Sequence, residues 1–166
     1  ASALRGDLER IRSRVAGSRA DTTTPDTRLA DDPMKFNPAS VGSLIQLMLG
    51  GIHPGHRGQV LHARVRYFDP VARRAGVPRG VAALVEALDD TSVTLSLVNT
   101  DQLNPRTVVI QAGGDAEHQF TGLKQGSLEK PLDADTVTVH LAPGSGGRLR
   151  LAMKRYTNRP SMKFPW

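Results

Sequence analysis

Short runs of alternating apolar and polar residues recur through the C-terminal half of this 166-residue chain, and turn-forming residues separate them. Residues 91–99 read TSVTLSLVN, 106–112 RTVVIQA, 117–123 EHQFTGL, 136–141 TVTVHL and 148–156 RLRLAMKRY. Between them stand Asn104-Pro105, Gly113-Gly114-Asp115 and the run from Ala142 through Gly147. A period of two puts successive side chains on opposite faces, so each run is a half-buried strand, and the tight punctuation favours antiparallel pairing. The expected fold is mainly β (α+β): an antiparallel β-sandwich with an N-terminal helical arm and two short helices.

The upstream half has a different period. Leu4, Leu8, Ile11 and Val15 fall on one helical stripe, and Gly17 is a natural stop, so residues 1–17 read as an amphipathic basic helix. Residues 18–36 hold turn formers and little that is apolar, as a linker does. Residues 37–90 read as a helix-strand-helix segment, in the position of the end of a preceding domain. Asn37-Pro38 opens a helix that is apolar nearly all round through Leu49. Residues 60–68 alternate as a strand, with Val65 and Tyr67 on one face and His62, Arg64, Arg66 and Phe68 on the other. From Pro78, the stripe Val81, Leu84, Val85 and Leu88 predicts a second short helix. The sandwich then occupies 91–156, and 157–166 form a docking tail.

The net charge is +6, with Arg clustered at both ends: six between residues 4 and 28, and Arg148, Arg150, Arg155 and Arg159 near the C-terminus. Such an excess suits an anionic partner, because bound cations release counterions from a polyanion. A basic nucleic-acid or anionic-polymer module is therefore one expectation, although no nucleic-acid-binding signature accompanies the charge. No apolar run is long enough to span a membrane, and the first residues lack the layout of a signal peptide, which leaves a cytoplasmic or secreted bacterial setting open. Ala1 stands where an initiator Met would, as trimming or excision from a longer chain would leave it. The absence of cysteine removes disulfides and thiolate metal sites.

Little in the sequence spells out catalysis. His53, His56 and His62 have the spacing H-x2-H-x5-H, which would suit an open zinc site in a small histidine-metal enzyme, yet no carboxylate ligand accompanies them. Glu117-His118 supplies an acid and a base, but neighbours on a strand point to opposite faces and cannot pair directly. No two carboxylates stand out as a glycosidase pair, and no serine sits in a nucleophile elbow. Gly144, Gly146 and Gly147 lie between strands, where a hairpin turn is expected rather than a phosphate cradle. Neither a metal nor a cofactor is expected, and no catalytic residue is assigned.

Aromatics make up only 4% of the chain, so stacking surfaces are scarce. Pro160 and Pro165 prevent a regular strand at the end, while Met162, Phe164 and Trp166 favour burial. With Leu4, Leu8, Ile11 and Val15 they are the expected docking surface, toward this domain or a larger protein partner. The candidate ligand contacts, chosen from loops and strand edges, are His53, His56, Arg57, Glu117, His118 and Tyr156.

The wording TLSLVNTDQLNPRTVVIQAGG followed by TVTVHLAPGSGGRLRL resembles the C-terminal β-sandwich of bacterial glycoside-hydrolase-like proteins. In these, a strand ending Leu-Val-Asn meets an Arg-Thr-Val strand, and an LxPGS turn comes later. The resemblance covers residues 91–156 and rests on scaffold residues. It implies an accessory or structural module, fragment or subunit, that supports a catalytic domain or binds glycan. On that reading the chain is non-catalytic alone, and glycosidase activity belongs to the larger protein, whose catalytic domain this chain does not contain.

Overall fold

The computed structural model describes residues 2–24, 42–52 and 62–166. The chain divides into two compact units, Ala1–Ile45 and Gln46–Trp166. In the first, helix α1 spans Ser2–Ala20 and runs past Gly17, which therefore does not end it. Leu4 and Leu8 are exposed, and Ile11 and Val15 are half-buried. The buried residue of α1 is Asp7, whose carboxylate accepts a hydrogen bond from the Ser43 amide at 3.0 Å. Helix α2 spans Gly42–Leu49. The expected start of this helix at Asn37-Pro38 and most of the expected linker lie outside the described residues.

The second unit is an antiparallel β-sandwich. Its strands are β1 Val65–Asp69, β2 Arg74–Ala75, β3 Val81–Leu88, β4 Ser92–Asn99, β5 Arg106–Ala112, β6 Gln119–Gln125, β7 Leu128–Ala134, β8 Thr136–Leu141 and β9 Gly146–Lys154. One sheet has the order β2-β1-β5-β8, the other β3-β4-β9-β6-β7. Alternation sends Val65 and Tyr67, Val108 and Ile110, Val93, Leu95 and Leu97, and Leu149, Leu151 and Met153 into a common core, with Phe120 beside them. No helix among the described residues is long and apolar enough to cross a membrane.

Several expectations change. The segment 78–88 is not a helix; it forms the edge strand β3, paired to β4 from Val81↔Asn99 to Leu88↔Val93. Its inward residues are Val81, Ala83 and Val85, and a bulge between Val85 and Ala87 shifts the register for Leu88. Sheet pairing and two β-branched valines outweigh a helical spacing that arises from the same residues. With β1 and β2 in one sheet and β3 in the other, the sandwich begins well before residue 91. Residues 142–145 make a turn, with Ser145 N–H donating to the Ala142 carbonyl at 3.1 Å, but β8 and β9 belong to different sheets and form no hairpin. Asn99, closing the Leu-Val-Asn run, is fully buried, and its amide nitrogen donates to the carbonyls of Asn104 and Ala142. That side chain ties the loops together at one end of the sandwich.

The tail docks on its own sandwich. Phe68 points away from the core, yet only 1% of it is exposed. Phe164 and Trp166 meet it edge-on, with centroids at 5.8 and 5.9 Å, and stack on each other at 5.1 Å. Arg66 lies over the Phe68 ring and Arg73 over that of Trp166. Met162 stays 89% exposed, so it takes no part in this seal.

Candidate functional site at one end of the sandwich

Antiparallel pairing brings the starts of β1 and β6 and the ends of β3 and β9 to the same end of the sandwich. The residues just outside these strands therefore converge. Arg64 precedes β1, Leu88 ends β3, Glu117 and His118 precede β6, and Arg155 and Tyr156 follow β9. Together with Gly50, Ile52, His62 and Ala63 they line a cavity of about 340 Å³.

Glu117 and His118 are not strand neighbours facing apart, as the alternation predicts. They lie in the turn before β6, where Ala116 adopts φ 59°. This brings His118 Nε2 within 3.8 Å of Glu117 Oε1. The Glu117 carboxylate curls back over residues 113–115 and accepts from the amides of Gly114 at 3.3 Å and Asp115 at 2.8 Å. Gly113, at φ 94°, leaves the space: a Cβ there would collide with the carboxylate.

His118 is buried, and its Nδ1 accepts from the Tyr156 amide at 3.1 Å. An accepting Nδ1 leaves the proton on Nε2, so the ring is neutral and presents an N–H toward Glu117. Burial lowers the His118 pKa, and the charges of Arg155 and Arg64 lower it further against the opposing pull of Glu117. Tyr156 also has a left-handed backbone, at φ 56°, and stands edge-on to the His118 ring at 4.7 Å while 62% exposed. Two non-glycine residues in this region, each costing about 1–3 kcal/mol, flank the same imidazole.

The guanidinium groups set the electrostatics. The Arg64 pKa is lowered by desolvation first and by the nearby Arg155 charge second. Arg155 pairs at 3.5 Å with Asp90, which is 97% exposed. Among the described residues, Arg64 Nη1 and Arg155 Nε are sealed from solvent without a hydrogen-bond partner. Sequence reading passed over both residues as site members, because only the fold brings the start of β1 beside the end of β9. Asn158 was also missed. Its side-chain amide donates to the carbonyls of Ala116 at 3.2 Å and His118 at 2.8 Å, and its backbone N–H to that of Glu117. This straps the tail over the turn that shapes the cavity.

Of the expected ligand contacts, Glu117, His118 and Tyr156 are brought together. His53, His56 and Arg57 lie outside the described residues. Ile52 and His62 form an antiparallel bridge, and both line the cavity. No metal-ligating cluster occurs among the described residues.

A second depression, about 640 Å³, runs over the outer face of the five-stranded sheet between Ser92, Gly122, Lys124, Lys130, Arg150 and Lys154. Two of its four cations are matched: Arg150 meets Asp89 at 3.7 Å and Lys124 meets Glu129 at 3.5 Å. The sequence matches no protein-family model, no curated protein and no solved structure.

Proposed function

We propose that this chain is a non-catalytic accessory module of a larger carbohydrate-active, glycoside-hydrolase-like protein, and that it meets glycan at the Arg64–Tyr156 end of the sandwich. The observation that carries this reading is the chemistry of the cavity. An exposed tyrosine ring stands beside guanidinium donors, while the groups suited to acid–base work are already engaged. Glu117 is held by two backbone amides and His118 Nδ1 by a third, an arrangement that favours binding over proton transfer. A ring face with convergent polar groups suits a sugar, whose C–H face stacks while its hydroxyls hydrogen-bond.

Titration of the protein with a saccharide panel, followed by amide chemical shifts, tests the reading. Binding that shifts Glu117, His118 and Tyr156 and weakens in Tyr156→Ala is expected. A panel that moves no cavity resonance overturns it. The anionic-polymer reading draws on Arg148, Arg150 and Lys154 along the outer face of β9. Its mark would be binding to a polyanion that falls steeply with added salt.

A further inference from the structure

The geometry points to a carboxylate site: Arg64 and Arg155 take the carboxylate of an acidic saccharide, a uronate, in the cavity that Tyr156 borders. This rests on the glycan reading and narrows it to a class of ligand. Two guanidinium groups lie close enough for the charge of one to act on the other, and among the described residues each keeps a sealed nitrogen with no acceptor. A buried donor left unsatisfied is unfavourable, and two neighbouring cations add repulsion. A protein keeps such an arrangement at little gain to the fold, and an incoming anion would relieve both faults.

The acids nearby do not already do so. Asp90 stands almost wholly in water and reaches Arg155 Nη1, not the orphaned Nε. Glu117 spends its oxygens on the Gly114 and Asp115 amides. These two carboxylates argue for a singly charged ligand, since a phosphate dianion would face both of them. A planar carboxylate matches the guanidinium fork with two parallel N–H···O bonds, once a turn of the terminal side-chain torsions aims the nitrogens at it. The neutral His118 adds no positive charge to favour a second one on the ligand. Arg155 lies over one face of the exposed Tyr156 ring at 5.2 Å, so the opposite face is the one for the sugar ring that bears the carboxylate.

Calorimetric titration of the whole chain with glucuronate, glucose and acetate separates the parts of this inference, using Arg64→Gln and Arg155→Gln as variants whose folding is checked by thermal melting. The expected result is binding of glucuronate, about tenfold weaker in either variant, with glucose and acetate each binding at least about tenfold more weakly. Acetate binding as tightly as glucuronate overturns the saccharide assignment and, with it, the glycan reading. Glucose matching glucuronate, with both variants unaffected, overturns the carboxylate site and leaves the glycan reading standing. No binding by any of the three overturns both.

Discussion

The outer face of the five-stranded sheet carries arginine and lysine, and the cavity at the end of the sandwich carries two arginines, but the two regions handle the charge differently. On the sheet face Arg148 meets Glu86 at 2.6 Å, and Arg150 and Lys124 have Asp89 and Glu129. The Ser96 hydroxyl, with help from Arg148, holds Glu86 below its ordinary pKa, and the Ser92 hydroxyl with the Thr91 amide brings Asp89 down to about 2. In the cavity, Arg155 pairs with one solvent-bathed aspartate, and among the described residues Arg64 and Arg155 each keep a nitrogen without a partner. The net charge of +6 therefore says less about where a ligand binds than the distribution of unmatched donors does. Paired charges on an open face are a solvated surface, whereas unsatisfied donors in a recess mark a candidate site.

The largest effect that would sharpen this contrast comes from the strap. Asn158→Ala removes the donor shared by the Ala116 and His118 carbonyls, and should cost about 2 kcal/mol in urea unfolding. Amide exchange should accelerate at residues 116–119 while β4 and β9 keep their protection. Equal loosening across both sheets would mean that the cavity end is not a separate local unit.

His118→Phe comes next. It keeps the ring volume but leaves the Tyr156 amide without its acceptor, for an expected loss of about 1 kcal/mol. It should also change the response to pH. His118 in the folded chain titrates below the ordinary value of 6.5, so on acidification the unfolded chain takes up the proton first. The stability contributed by the neutral ring is complete above about pH 6.5 and is lost as the pH falls through the depressed folded pKa. Chemical denaturation across that window should show the slope in the wild type and a flatter profile in His118→Phe. Identical slopes would contradict the buried, neutral assignment.

The smallest effects bear on the two arginine sets directly. Arg64→Gln removes a desolvated cation with an orphaned donor, so the ligand-free protein should melt at the same temperature or slightly higher. Arg148→Gln on the sheet face should leave both the melting midpoint and glucuronate binding where they were. A marked drop in melting temperature for Arg64→Gln would assign that side chain to the scaffold instead.

Alternation made the core strands legible, because β4, β8 and β9 each have an inward and an outward face and their breakers are local, while β5 is buried on both faces from Val108 onward. Strand β7 was not legible: Pro131 argues against a strand, and only an edge position, with β6 as sole neighbour, lets a residue without an N–H remain in the sheet. Strand β3 was misread because Val81, Leu84, Val85 and Leu88 fit a helical stripe as well as a bulged strand. At the site, Glu117, His118 and Tyr156 could be picked out by residue type. Their association with Arg64 and Arg155 depends on strand order and on the left-handed backbone at Ala116 and Tyr156, neither of which a local pattern encodes.

The most direct test is a map of amide chemical shifts during titration with glucuronate. Changes are expected to concentrate at Arg64, Leu88, Glu117, His118, Arg155 and Tyr156, with the amides of Lys124, Arg148 and Arg150 unmoved. Changes that instead follow β9 along the outer sheet face, or that appear nowhere, would contradict the site assignment.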